Sequence, residues 1–312
     1  MSRAIKNIAD GAPAGEAGAA DGFERLTLPM GRRGAVFLHR GSRPVVMPRR
    51  HRHREWEINL MVRGRAAYAV EGQRVEIRRD SLLWLLPSQG HVLLEHSANL
   101  ELYVVVIDPA LLGGLASGPG FEAWRGWLDG GQAPNRVLHR VVEGLVAERL
   151  AGLCGALEQP GCASVREDGR GGGHYEAGLV WLAGEAWRAY NEAREGPAGA
   201  YLHPAVEAAA DWLDRHAHEL EADDLDALAR RCHVSRPHLS RLFHRQTGQT
   251  LTAFRTGRRV QRFLGLIERG TAGSLTEAAY GAGFGSYAQA FRSVKTVTGQ
   301  GPREHLRQVG LE

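Results

Sequence analysis

Leu225-Asp226-Ala227-Leu228-Ala229, a break over Arg230 to Val234, and then Ser235-Arg236-Pro237-His238-Leu239-Ser240-Arg241-Leu242-Phe243 is the stretch on which the fold turns. Leu225, Leu228 and Ala229 stand three and four residues apart, so a helix puts them on one face. Ser235 suits a helix N-cap, and Pro237 falls in the first helical turn, where a missing N–H costs nothing. Leu239, Leu242 and Phe243 give the second helix an apolar stripe, and Arg236, Ser240, Arg241 and Arg245 its polar, basic face. Two short helices, a tight connection and a basic second helix make a helix-turn-helix.

The pattern recurs. Leu275-Thr276-Glu277-Ala278-Ala279 opens another short helix, Gly281-Ala282-Gly283-Phe284-Gly285 turns the chain, and Ser286 caps a helix running to about Thr296. Tyr287, Gln289 and Arg292 fall on its exposed face. Ser286 lies 51 residues after Ser235. Between the two units Phe254, Val260, Phe263, Leu264 and Ile267 keep helical spacing, which predicts one connecting helix over Phe254–Glu268.

Charge follows the same boundaries. From Ala227 to Arg303 there are thirteen Lys plus Arg and two acids, a net of +11, whereas the whole chain carries only +4. A concentrated basic surface of this kind suits the phosphate backbone of DNA, because each neutralised phosphate releases counterions. Arg241 and Arg292 are the expected base or groove contacts, since arginine pairs bidentately with guanine at about 1–3 kcal/mol of discrimination. Arg236, His238 and Ser240 flank the first contact, and Ser286, Tyr287 and Gln289 the second. Arg245, Arg258, Arg259 and Lys295 are expected on phosphates, which position a protein without specifying sequence. Two such units on one chain would occupy successive major grooves roughly 34 Å apart.

These residues resemble the AraC/XylS-type DNA-binding domain. The likeness rests on Leu228-Ala229 before Val234-Ser235, on Leu239-Ser240-Arg241-Leu242-Phe243, on Gly248 and Gly283-Phe284, and on Gly299 followed by Pro302. It covers about the last hundred residues. It implies a sequence-specific transcription regulator, more often an activator, that works with RNA polymerase.

Upstream, residues 1–25 are rich in Ala, Gly, Asp and Glu without periodicity and are expected to be disordered. Short apolar runs then predict strands at Ala35–Leu38, Trp56–Val62, Ala66–Val70, Arg74–Ile77, Ser81–Leu86, Val92–Glu95 and Leu100–Ile107, with Glu71-Gly72 as a hairpin turn. Seven closely spaced strands argue for a barrel or sandwich. Within them His51, His53 and Glu57 have the spacing HxHxxxE, and His91 follows Pro87-Ser88-Gln89-Gly90. If the strand runs unbroken from His51, all three point the same way. Imidazoles plus one carboxylate suit Fe(II), Zn(II) or Mn(II). The set is similar to the first cupin motif with His91 in the second, although Val45 stands where the usual leading glycine would be.

Barrels joined to this type of DNA-binding domain often lack metal, and Arg49, Arg50, Arg52 and Arg54 crowd the histidines with positive charge. The expectation is therefore a small-molecule effector pocket without a cofactor, lined by His51, His53, Glu57, Asn59 and His91. His51, His53, Glu57 and His91 remain candidate ligands for a divalent metal. Trp56 and Trp84 are assigned to packing. The competing reading is a metal-dependent cupin enzyme carrying an incidental DNA-binding domain, and a weaker third is an architectural DNA-binding protein whose barrel only dimerises.

After Pro109 the pattern turns helical. Val137, Leu138, Val141, Val142, Leu145, Leu150, Leu153 and Leu157 read as one wide helical stripe, and about Tyr175–Arg194 as another helix. The glycine-rich Pro160 to Gly173 reads as a flexible break and Gly196-Pro197-Ala198-Gly199 as a linker. The expected class is α+β: a disordered 1–25, a cupin-like β-barrel sensor over 30–115, a helical dimerisation region over 120–196, and an all-α double helix-turn-helix domain over 203–308. Cys154, Cys162 and Cys232 fit no zinc spacing and read as reduced thiols. Without a signal peptide or an apolar run of about 18–20 residues, the expected setting is the cytoplasm, at the nucleoid, with no membrane contact. The expected partners are promoter DNA, RNA polymerase, a sugar or other polar metabolite, and a second copy of the chain.

Overall fold

A computed structural model describes residues 26, 28, 32–41, 50–128, 137–159, 172–196 and 199–308. The disorder expected of 1–25, Cys162, and most of the expected break and linker lie outside the described residues. The chain divides into two compact units with their main boundary between Ala200 and Tyr201.

In the N-terminal unit all seven expected strands form: β1 (Gly34–Arg40), β2 (Trp56–Arg63), β3 (Arg65–Val70), β4 (Gln73–Arg78), β5 (Ser81–Leu85), β6 (His91–His96) and β7 (Glu101–Ile107). The β3–β4 connection is the expected tight turn. Glu71 and Gly72 both take positive φ, 45° and 76°, as a two-residue hairpin turn that matches strand twist requires. Helices α1 (Pro109–Ala116), α2 (Glu122–Leu128), α3 (Gly144–Glu158) and α4 (Gly172–Glu192) follow, with β8 (Leu138–Val141) before α3 and β9 (Arg194–Glu195) and β10 (Ala200–Tyr201) after α4.

The strands make two sheets, in the orders β1-β7-β2-β5-β8-β9 and β10-β4-β3-β6, and do not close into a barrel among the described residues. Alternation along β2 and β5 gives the larger sheet two different faces. Trp56, Ile58, Leu60, Leu82, Trp84 and Leu86 point to one of them and pack with Trp124, Leu150, Leu179, Leu182, Ala183 and Trp187 from the helices. Trp56 and Trp84 are packing residues, as expected. Glu57 and Asn59, which alternate with them, point to the opposite face. The smaller sheet meets that face, so the two sheets enclose an interior without a continuous ring of strand hydrogen bonds.

One helix is shorter than expected. Residues 138–141 pair antiparallel with β5, Leu138 opposite Trp84 and Val141 opposite Ser81. Val137-Leu138-His139-Arg140-Val141-Val142 alternates as well as it spirals, and the exposed edge of β5 decides for the strand. The helix starts only at Gly144.

The C-terminal unit is all helical: α5 (Pro204–His216), a 3-10 turn (Leu220–Asp223), α6 (Leu225–Arg231), α7 (Arg236–Thr247), α8 (Leu251–Glu268), α9 (Leu275–Gly281), α10 (Tyr287–Thr298) and α11 (Pro302–Gln308). The caps follow the sequence. Asp224 accepts from the Asp226 and Ala227 N–H groups, Thr250 from Ala253 and Ser274 from Glu277. The connecting helix α8 buries Phe254, Val260, Phe263 and Leu264, and the last three pack on Ala278, Ala279, Ala282, Phe284, Ala290 and Val294. Small residues at 278, 279 and 282 let α9 lie close to α8. At its start α5 is tied to α7, where the His203 N–H donates to Gln246 Oε1 at 2.8 Å.

Candidate functional site

The two helix-turn-helix units are built on the same hydrogen bonds. In the first, Cys232 N–H donates to Leu228 C=O and Val234 N–H to Ala229 C=O; in the second, Ala282 donates to Ala278 and Phe284 to Ala279. Both turns place one residue in the left-handed region, His233 at φ 57° and Gly283 at φ 86°. Both second helices end alike: Thr247 and Thr298 hydroxyls donate to the carbonyls four residues back, and Gly248 and Gly299 close the helix at φ 74° and 79°. The repeated Thr-Gly-Gln at 247–249 and 298–300 is a sequence signal of this duplication that helix periodicity alone does not single out.

His238, Arg241 and Arg245 stand exposed on α7, opposite buried Leu239, Leu242 and Phe243, and Ser240 is partly covered. Arg236 is engaged with Asp226 of α6 at 3.0 Å. On α10, Gln289, Arg292 and Lys295 are exposed and Tyr287 is half-buried. Ser286 and Gln289 form a reciprocal cap: Ser286 Oγ accepts from the Gln289 N–H at 3.2 Å, and Gln289 Oε1 from the Gly285 N–H at 2.9 Å. Ser235 holds the corresponding position with extended backbone, but its side chain makes no capping hydrogen bond among the described residues.

The expectation that Arg258 and Arg259 reach phosphates is corrected. Each is 5% exposed. Arg258 is paired with Asp214 of α5 and stacks over the Phe254 ring at 4.5 Å. Arg259 forks onto both oxygens of Asp223, at 3.3 and 3.2 Å, and donates to the Ala217 and Glu219 carbonyls at 2.6 and 3.2 Å. Their guanidinium groups bind α8 to α5 and to the 3-10 turn, and both are withdrawn from the basic surface.

In the N-terminal unit the expected pocket residues converge. The route differs from the expected unbroken strand, because β2 begins only at Trp56 and residues 54–55 bend. His51 instead forms an isolated antiparallel bridge with His91, the two backbones exchanging N–H···O bonds of 3.1 and 3.0 Å. Residues so paired put their side chains on one face. The His51 and His91 rings are 4.3 Å apart, and those of His53 and His91 5.0 Å. Each of the three histidines offers a nitrogen within 4.8 Å of the others. Glu57 Oε2 lies 3.2 Å from His53 Nε2 and 3.7 Å from His91 Nε2. Its Oε1 accepts from Asn59 Nδ2 at 2.7 Å, and the Tyr68 hydroxyl donates to Asn59 Oδ1 at 3.2 Å.

Burial alone would raise the Glu57 carboxyl; the imidazoles of His53 and His91 outweigh it and hold the group well below the usual carboxylate range. Burial, with the Glu57 charge adding to it, pushes the Tyr68 phenol well up and keeps it a donor. Tyr68 is a member of this network that the spacing of histidines and carboxylates could not find, because its own strand, β3, reads only as alternation. Cys154 and Cys232 are buried free thiols, with burial raising Cys154 to about 12, and neither is among the residues gathered at the cluster.

Residues 228–308 match the family model for a helix-turn-helix domain, and residues 34–164 match that for the AraC-like ligand binding domain. The chain belongs to the AraC-type transcription regulators. Among solved structures, ToxT from Vibrio cholerae O395 is 13% identical, with 89% of this chain and 97% of that chain covered, at a TM-score of 0.31. The C-terminal domain of AraT, a response regulator from Geobacillus stearothermophilus, is 21% identical over 35% of this chain and 88% of that one, with a TM-score of 0.31. The AraC-like transcriptional activator CuxR is 17% identical over 80% and 78%, with a TM-score of 0.28. No curated protein matches.

As an AraC-type regulator, the chain has a DNA-binding part in its helical unit and a ligand-binding part in its β-rich unit. Among the described residues no helix is long and apolar enough to cross a membrane. The two turns of this AraC-type domain respond differently to side chains. A Cβ on Gly283 would sit 2.5 Å from the His218 carbonyl oxygen. Gly283→Ala is therefore expected to cost about 1–3 kcal/mol from its left-handed backbone, with the clash adding to that. His233→Ala, at a turn that already carries a side chain, should cost less. Urea denaturation of the two variants side by side measures the difference.

Proposed function

We propose that this chain is a one-component regulator whose C-terminal unit binds promoter DNA through α7 and α10, under the control of a small molecule held among His51, His53, Glu57, Asn59 and His91. The observation that carries it is the duplicated helix-turn-helix, with matching turns and matching helix ends. Arg241 and Arg292 contact bases or the groove; Arg236, His238 and Ser240 flank the first, and Ser286, Tyr287 and Gln289 the second. Arg245 and Lys295 bind phosphates. Arg236, Ser286 and Gln289 already have partners in the free chain, so contacts from them require a rearrangement that Arg241 and Arg292 do not.

In this reading residues 30–115 sense the effector, 120–196 mediate homodimerisation, and 203–308 bind DNA. The chain acts in the cytoplasm at the nucleoid, activates transcription through RNA polymerase, and catalyses no reaction. The effector is a sugar or another polar metabolite, in keeping with the Glu57–Asn59–Tyr68 network of hydrogen-bonding groups. Whatever binds must favour one DNA-binding state over the other to switch anything.

Arg241→Ala and Arg292→Ala test the assignment on any promoter fragment the chain protects. Each is expected to lose about 1–3 kcal/mol of discrimination at its own base positions, in separate parts of the footprint. Unchanged affinity for every base substitution in both variants would refute the placement of α7 and α10 in the grooves.

A further inference from the structure

We infer that the two recognition helices read different base chemistry: α10 selects thymine by contacts of Ala288 and Phe291 with its C5-methyl group, whereas α7 relies on polar and charged side chains. The inference deepens the reading above and rests on α7 and α10 lying in the major grooves. It starts from the duplication. The matched caps, Ser235 and Ser286, and the matched ends, Thr247 and Thr298, are both 51 residues apart, so the two helices align position by position without a gap. Arg241 then corresponds to Arg292, the residue assigned to bases in each helix.

Around that shared arginine the helices diverge. On α10, Ala288, Phe291, Arg292 and Lys295 stand at i, i+3, i+4 and i+7 and form one continuous strip opposite buried Ala290 and Val294. All four are exposed, Phe291 at 40%. The same strip on α7 is Pro237, Ser240, Arg241 and His244. Phenylalanine thus replaces serine beside the arginine, and Thr296 stands where α7 has Arg245. A like exchange ends the first helices. Leu228-Ala229 and Ala278-Ala279 are 50 residues apart, which matches exposed Tyr280 on α9 with Arg230 on α6.

The phenyl ring is held in place as well as exposed. The Tyr287 ring lies 6.3 Å from it at 64°, and a Cβ on Gly301 would come 3.2 Å from its Cε2, so the chain at Gly301 passes close to the ring. A fixed apolar surface in a strongly basic unit carries a cost in water that contact with another apolar group removes. Among the base edges in the major groove, the C5-methyl of thymine is the one apolar group, and alanine, the threonine methyl and phenylalanine are side chains that meet it. Ala288, Thr296 and Phe291 are those three types. In its own strip α7 offers Pro237 alone for such a contact, so its discrimination falls to Arg241 and the polar neighbours.

The full chain first selects its own sites from a pool of randomised duplexes, and Arg241→Ala and Arg292→Ala assign the two parts of the footprint. Each thymine is then replaced singly by deoxyuridine, which removes the methyl and keeps every hydrogen-bonding group. At one or more thymines in the α10 part affinity is expected to fall about fourfold, the worth of one buried carbon group, and uracil in the α7 part should change it by less than about twofold. Phe291→Ser, which gives α10 the side chain that α7 has there, should bind thymine and uracil duplexes alike. Phe291→Leu, which stays apolar, should keep the penalty.

A selected α10 part without thymine in either strand, tolerance of uracil at every thymine there, an equal penalty in the α7 part, or a penalty that persists in Phe291→Ser overturns the inference. If Phe291→Ser does not fold, Ala288→Ser, on the exposed face, takes its place under the same outcomes. Failure of the underlying reading has a different signature: Arg241→Ala and Arg292→Ala then leave affinity unchanged at every base, and this inference falls with it.

Discussion

Arg258→Met is expected to lower the stability of the C-terminal unit by about 3–5 kcal/mol while leaving its DNA-contacting surface chemically intact. Arg258 is buried and Asp214 largely covered, with side chains 4% and 13% exposed. Methionine keeps much of the apolar stem but leaves the Asp214 carboxylate in the interior without its cation, and that uncompensated charge is what costs. Adding Asp214→Leu removes the charge, so the double variant should regain most of the loss, a coupling that urea denaturation of both single variants and the pair measures. A phosphate contact at this position would behave in the opposite way. Stability would hold, affinity would fall uniformly across DNA sequences, and the salt slope would drop by about one.

The second large effect belongs to the N-terminal unit. Trp84→Ala is expected to cost about 3–5 kcal/mol, because a fully buried indole leaves a cavity that its neighbours fill only in part. Those neighbours are themselves large rings. Trp56, Trp124 and Trp187 have centroids 5.8, 5.6 and 5.6 Å from that of Trp84, and they belong to a strand and two helices. The loss should appear as a lower midpoint in thermal unfolding followed by tryptophan fluorescence. Trp181→Ala, at a position 59% exposed on α4, gives the contrast and should shift the midpoint little.

Much of this architecture was readable in the residues. The period-two runs, Glu71-Gly72 and the paired short helices each carry a local signal and each formed where expected, with Ser286 but not Ser235 using its side chain as the cap. What escaped was decided between distant segments. Val137 to Val142 is apolar enough for either helix or strand, and only the free edge of β5, more than fifty residues earlier, selects the strand. Arg258 and Arg259 look like any basic pair on an amphipathic helix, and nothing nearby in sequence announces that Asp214 and Asp223 will meet them. The histidine cluster shows both sides. Its ligand-like residues could be named from spacing, whereas the cross-strand bridge that brings His51 to His91, and the tyrosine behind Asn59, depend on pairing that sequence does not state. Closure into a barrel was likewise a matter of edges, and among the described residues the edges stay apart.

Helix α5 is secured at its first turn by Gln246, along its length by Arg258, and beyond its last turn by Arg259 and by the close approach of Gly283 to His218. It is also the first helix after the boundary between the two units. Its ties reach α7 directly, and α10 through α8 and the turn at Gly283, much as the bow of a key is joined to every tooth on its blade. A displacement of α5 would therefore bear on both helix-turn-helix units at once rather than on one alone.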